Sequence, residues 1–185
     1  FLVVQDMFLS ETAALADVVL PVASFAEKDG TFTNTERRVQ LIRPAVPPPG
    51  EARPDWQVVC DISTAMGYPM SYASPAAIME EIASLVPSYA GMLHERLGNG
   101  GLQWPCLDAS HPGTRFLYAE NFPTPTGKAT FSIVNQQEAG SDVTDDAYPL
   151  NLNTGRLLEH YHTGTMTRRS RGLDHMKPEG EVEVH

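Results

Sequence analysis

The amino-acid sequence predicts an α/β fold built on a parallel sheet, and three observations carry that expectation. Phe1 to Val4 is an unbroken apolar run, the pattern of a strand buried on both faces. A polar turn and a short helical stretch separate it from Val18-Val19-Leu20, a second apolar run ended by Pro21, so Phe1–Pro21 reads as one strand, helix and strand unit. Further on, Trp56, Val59, Ile62 and Met66 recur at helical spacing and supply a helix with one apolar face.

In chain order, Gln5-Asp6 places two polar side chains where the first strand must end, the edge at which ligands collect in open α/β sheets. Ser10 can cap a helix over Glu11–Ala16, and Asp17 closes it. Asp29-Gly30 is a turn signal, Thr31–Asn34 is β-prone, and Thr35–Arg43 continues as an extended, partly exposed strand or ribbon. The three prolines of Ala45–Gly50 make a stiff connector. Helices are expected over Asp55–Met66, with Pro54 ahead and Gly67 behind, over Pro75–Leu85, and as a short third over Tyr89–Leu97. Gly98 to Thr126 reads as an irregular excursion pinned by Trp104, Phe116, Tyr118 and Phe122. Strands are expected at Ala129–Val134 and from Leu150 to Asn153, separated by an acidic linker over Gln136–Tyr148. The chain opens inside a core strand, and Glu181–His185 alternates like a strand just begun, so the expectation is an internal piece of a longer polypeptide.

Composition narrows the classes of function. Charged residues make up 19% and hydrophobic ones 42%, and no apolar run approaches the roughly 20 residues that cross a bilayer, so direct membrane insertion is not expected. A formal charge of −10 opposes a phosphate backbone, and Thr167–Arg171 is the longest basic run, which argues against nucleic acid as a partner. Cys60 and Cys106 are isolated and read as reduced packing residues; neither is expected to bind a metal.

Two places carry candidate chemistry. The segment Thr154–Thr167 offers a backbone bend at Gly155, the guanidinium fork of Arg156, the rings of His160 and His162, and hydroxyls including Thr163, a toolkit for oxyanions such as phosphates. A polar surface loop explains the same residues equally well. Two imidazoles do not make a metal site. Gln5-Asp6 either reads a ligand's hydroxyls or base edge or caps the turn that follows, and Asp55 is either a carboxylate favoured by a helix N-terminus or the partner of the adjacent N–H donors on one edge of guanine. There is no Gly-x-Gly-x-x-Gly after Val4 and no Walker-type loop, and no spacing singles out a nucleophile pair, so no catalytic residue is assigned.

Taken together, VVQDMFLSETAALADVVLPVASFAEKDGTFTNTERRVQ, PDWQVVCDISTAMGYPM, LQWPCLD, PTPTGKATF and NTGRLLEHYHTGTMTRR, in this order, closely resemble the catalytic (alpha) subunit of molybdenum- or tungsten-dependent formate dehydrogenases, within the molybdopterin oxidoreductase superfamily. The resemblance implies that residues 1–147 are the latter part of an α/β domain holding molybdopterin guanine dinucleotide, and that 148–185 begin a C-terminal β-barrel domain. It implies that Gln5, Asp6 and Asp55 contact the guanosine portion of one dinucleotide. Gly155, Arg156, His160, His162 and Thr163 would then meet phosphates or pterin of the other copy of the bis(molybdopterin guanine dinucleotide).

The family's metal-binding cysteine or selenocysteine, its neighbouring histidine, its formate-holding arginine and its iron–sulfur cysteines have no equivalents in this chain. The resemblance therefore implies cofactor grip without the reaction centre, and a piece inactive by itself. The parent would take formate as substrate, oxidise it to CO2 with two electrons, and pass these to iron–sulfur or diaphorase electron-transfer subunits, in the cytoplasm or alternatively the periplasm. Other readings are a non-catalytic scaffold such as the large iron–sulfur subunit of NADH–quinone oxidoreductase, or another superfamily member such as a nitrate reductase or arsenite oxidase.

Overall fold

The computed structural model describes residues 1–134 and 144–184. Most of the expected acidic linker Gln136–Tyr148, and His185, lie outside the described residues. The chain packs as two compact units, Phe1–Lys128 and Ala129–His185, and it is a mixed α/β structure with one parallel and one antiparallel sheet.

The first unit opens on the expected strand, helix and strand. Strand β1 (Val3–Asp6) pairs in parallel with β2 (Val18–Pro21), Val3 against Val18 and Asp6 against Pro21. Between them, helix α1 (Glu11–Ala14) is capped by Ser10, whose hydroxyl oxygen accepts from the Ala13 N–H at 3.3 Å. Asp17 closes the unit, its carboxylate accepting the Leu2 N–H at 2.6 Å. Two expectations are corrected. The strand begins at Val3 and runs through Gln5 and Asp6, so both polar residues belong to the ladder. The strands are also not buried on both faces, since Val3, Val18 and Val19 are exposed: among the described residues β1 and β2 pair only with each other, and a two-stranded sheet cannot cover its own faces.

The antiparallel sheet has the order β3 (Gly30–Thr33), β4 (Arg38–Ile42), β5 (Leu102–Gln103). The β-prone stretch after Asp29-Gly30 is therefore one arm of a hairpin, and the ribbon expected over Thr35–Arg43 is a tight reversal followed by β4. Asn34 builds the reversal, its side-chain oxygen accepting from the backbone N–H groups of Glu36 at 3.1 Å and Arg38 at 3.0 Å.

Helices α2 (Asp55–Ala65) and α3 (Pro75–Leu85) form over the expected spans, but the residues α2 buries are Val58 and Cys60, while Val59, Ile62 and Met66 of the expected apolar face are exposed. Ser74 caps α3 through the Ala77 N–H at 3.3 Å, and Pro75 sits in the first turn, where its missing N–H costs nothing. The third expected helix, Tyr89–Leu97, does not form. Two 3-10 turns, Pro87–Tyr89 and His94–Arg96, stand in its place. The backbone there is bonded elsewhere: Cys106 donates to the Ser88 carbonyl and accepts from the Gly91 N–H, both at 2.8 Å.

The core gathers Val39, Met79, Met92, Leu97 and Cys106, with Leu41, Tyr89, Leu102 and Trp104 packed around it. Cys60 and Cys106 are both buried free thiols, as expected of packing residues. In the excursion over residues 98–126, Trp104 anchors as expected, stacked on Tyr89 with ring centres 6.4 Å apart. Phe116, Tyr118 and Phe122 stay exposed, and the last two stack on each other instead. Arginines do most of the pinning. Arg96 donates to the carbonyls of Gly91, Asp108 (3.2 Å) and His111 (2.7 Å), satisfying acceptors that an irregular backbone leaves over.

In the second unit no described residue is in a strand, so the strands expected at Ala129–Val134, from Leu150 and over Glu181–Val184 are not formed. Their alternating apolar residues have no ladder to join, and Phe131 is 97% exposed. The regular structure is a 3-10 turn, Thr167–Arg169, leading into helix α4 (Arg171–Met176).

Candidate ligand-binding sites

Three elements of the first unit bring one carboxylate, one amide and one ammonium together. Gln5 stands near the end of β1. Asp55 is the first residue of α2, and the start of that helix is tied to the end of β2: the Ala23 N–H donates to the Arg53 carbonyl at 2.9 Å and the Arg53 N–H to that of Pro21 at 3.3 Å. Lys28 follows the 3-10 turn Phe25–Glu27, which is fixed by the Glu27 carboxylate accepting the Ser24 N–H at 2.8 Å. The Gln5 side-chain amide donates to Asp55 Oδ1 at 3.2 Å, and Lys28 Nζ contacts Asp55 Oδ2. One donor therefore reaches each carboxylate oxygen.

The Asp55 side chain is 46% exposed and the Lys28 side chain 22%. Partial burial pushes the Asp55 carboxyl up, but the Lys28 ammonium, a backbone N–H and the Gln5 amide outweigh it, and the pKa falls below the ordinary aspartate value. The group stays ionised at neutral pH. It is thus a fixed, half-open anion suited to a neighbour with two N–H donors.

Asp6 does what the plainer reading of it requires: Oδ1 accepts the Phe8 N–H at 3.0 Å and turns the chain out of β1. Asp55 likewise occupies the first turn of α2, where the helix dipole favours a negative charge. The ligand readings of both residues use oxygens that these roles leave partly open. Lys28 escaped the sequence reading. A lysine before Asp-Gly carries no spacing signal, and only folding sets it beside residue 55. A separate cavity of about 510 Å3, lined by residues including Leu20, Pro21, Arg53 and Val58, contains none of the expected binding residues.

In the second unit, residues 160–168 close on themselves. His160 is 8% exposed, with Nε2 2.7 Å from the Lys177 carbonyl and Nδ1 3.1 Å from the Thr167 hydroxyl. A carbonyl only accepts, so Nε2 carries the proton and Nδ1 accepts from Thr167, whose oxygen in turn accepts the Tyr161 N–H at 3.2 Å. Gly164, at φ +77, receives the Arg168 side chain so closely that a Cβ would lie 2.9 Å from Arg168 Cγ. Arg168 is bonded in turn to the Pro178 carbonyl at 2.7 Å.

Around this knot the other expected residues are exposed. Gly155 has nothing within 4 Å of where a Cβ would be. Arg156 makes no hydrogen bond or ion pair with the described residues and has its whole guanidinium fork available. His162 stands edge-on to Tyr161 with ring centres 4.4 Å apart, and the Thr163 hydroxyl lies 3.1 Å from that of Thr165. Arg156, His162 and Thr163 are thus free to donate to an oxyanion, whereas both ring nitrogens of His160 serve the loop. Among the described residues no group of three or more His, Cys, Asp or Glu side chains is placed to hold a metal ion, and no helix is long and apolar enough to cross a membrane.

A family model described as molybdopterin oxidoreductase matches residues 1–65, which contain Gln5, Asp6, Lys28 and Asp55. Over its whole length the chain is 50% identical to the F420-dependent formate dehydrogenase 2 alpha subunit of Methanococcus maripaludis and 49% identical to the F420-dependent formate dehydrogenase alpha subunit of Methanocaldococcus jannaschii. It is 41% identical to the assimilatory nitrate reductase catalytic subunit of Bacillus subtilis. The chain spans 28% of the length of each of the first two relatives and 27% of the third.

Proposed function

We propose that this chain, whose residues 1–65 match a molybdopterin oxidoreductase family model, forms the cofactor-gripping part of a formate dehydrogenase alpha subunit. In this reading residues 1–147 hold the guanosine end of one molybdopterin guanine dinucleotide, and residues 148–185 open the barrel domain that holds the other. The observation that carries it is the meeting of Gln5 and Asp55, fifty residues apart in sequence, at 3.2 Å.

The donor set fits such a group. Asp55 is an ionised, half-exposed carboxylate, the acceptor that guanine's adjacent N–H groups require and that adenine, whose one amino donor is flanked by the acceptors N1 and N7, does not match. Asp6 keeps Oδ2 without a partner among the described residues, available to a ribose hydroxyl. Arg156, His162 and Thr163 present exposed donors to phosphate or pterin oxygens, Gly155 leaves room for a close backbone approach, and His160 holds their loop in shape. The cofactor, with molybdenum or tungsten, supplies the two-electron chemistry that oxidises formate to CO2. The residues of this chain bind and orient it and take no part in bond breaking.

The formate assignment rests on 50% and 49% identity to two formate dehydrogenase subunits. The 41% identity to a nitrate reductase supports a second reading in which the same grip serves nitrate reduction. The complete polypeptide, purified with its metal, is expected to reduce a viologen dye with formate and to release GMP on mild acid hydrolysis, while residues 1–185 alone show no turnover. Nitrate reduction without formate oxidation would favour the second reading, and absence of GMP would remove the guanine dinucleotide.

A further inference from the structure

Lys28 has no role in the reading above, yet it makes the closest contact with the carboxylate on which that reading depends. Asp55 carries one donor per oxygen, Gln5 on Oδ1 and Lys28 on Oδ2. Each carboxylate oxygen has two lone-pair directions, so the two side-chain donors take one on each oxygen and, apart from the Asp55 backbone N–H beside the group, leave the other open. A carboxylate held by a single partner can rotate about its terminal torsion, which is broad for aspartate. Clamped from both ends by residues of two other elements, it cannot.

We propose that Lys28 is a positioning residue for base recognition: with Gln5 it locks the plane of the Asp55 carboxylate, so that both remaining lone pairs face the N1–H and N2–H donors of a guanine base. This rests on the guanine reading of Asp55 given above. Lys28 is suited to the task by its place. The capping contact between Ser24 and Glu27 fixes the turn before it and β3 begins two residues after it, so the stem of the lysine starts from a constrained backbone. Its side chain is the more buried of the pair, which favours a partner that stays rather than one that exchanges with water. The ammonium also offsets the charge that an unpaired carboxylate would set against an incoming dinucleotide phosphate.

The test uses the complete polypeptide that contains this chain, freed of its cofactor, with GDP as the probe and IDP, which lacks the 2-amino donor, as its comparison. Calorimetric titration of the wild-type chain is expected to show GDP binding about tenfold or more tighter than IDP, the worth of one hydrogen bond to a charged acceptor. In Lys28→Met, GDP affinity should fall about tenfold, IDP affinity should fall much less, and the ratio should approach one; Lys28→Arg should restore most of the preference. A Lys28→Met chain that keeps the wild-type ratio overturns the proposal and leaves the guanine reading standing, whether both affinities are unchanged or both fall equally. If the wild-type chain shows no preference for GDP, the guanine reading of Asp55 fails and the role of Lys28 falls with it.

Discussion

The Arg37 guanidinium lies 5.6 Å from the centre of the Trp104 ring and donates to the backbone carbonyl of that same residue. It also reaches the carbonyls of Thr114 at 3.2 Å and Arg115 at 3.1 Å. One side chain at the tip of the β3–β4 hairpin thereby fastens an irregular segment some seventy residues away in sequence. Arg37→Ala is expected to lower stability by about 2 kcal/mol, seen as a lower denaturant midpoint, and Arg37→Lys should recover less than half, because an ammonium cannot fork between three carbonyls. An unchanged midpoint in Arg37→Ala would refute this role.

Gly91 is where the chain after α3 meets the loop after Trp104. A Cβ there would stand 2.0 Å from the Asp108 carbonyl oxygen and 2.6 Å from Cys106 Sγ, and neither neighbour is the loose end of a flexible side chain. Gly91→Ala should therefore cost about 3 kcal/mol, since it must force the backbone of the core loop apart. Thermal unfolding provides the measurement; a melting temperature within a degree of the wild type would show that the loop yields freely.

The pair Lys28 and Asp55 predicts a pH dependence of known sign. The folded-state pKa of Asp55 is depressed, so the pair's stabilisation is fully present above the unfolded carboxyl's value and is lost as pH falls through the folded value. The window lies below about pH 4. Because Asp55 is nearly half exposed, the gap in unfolding free energy between wild type and Lys28→Met should be modest, on the order of 1 kcal/mol or less at pH 7, and should narrow on acidification towards about pH 3. A gap that widens in acid would contradict the ion pair.

His160 predicts a local effect within the second unit. Replacing it with alanine removes both the bond to the Lys177 carbonyl and the one to Thr167, at a cost of about 1–3 kcal/mol for the acceptors left behind. The loop should then open more often. Amide exchange at Gly164 and Arg168, whose N–H groups donate to Tyr161 and Gly164, should accelerate at least about fivefold, and protection equal to the wild type would mean that the loop is held by other contacts.

The sequence by itself determined what depends on near neighbours: the strand, helix and strand at the start, the Ser10 and Ser74 caps, the spans of α2 and α3, and Gln5, Asp6 and Asp55 as residues of interest. These follow from side-chain periodicity and local hydrogen bonding, which act over a few residues. Tertiary structure decided the rest. Tyr89–Leu97 carries a plausible helical pattern, but bonds from Cys106 claim its backbone. The apolar alternation of Phe131 and Ile133 is strand-like, but a strand exists only when another backbone completes its ladder. Lys28 is an ordinary lysine until folding sets it against Asp55, and His160 resembles a free ligand until the carbonyl of Lys177, seventeen residues on, accepts its Nε2–H. Contacts between distant residues depend on the path of the whole chain, and no short window of sequence encodes that path.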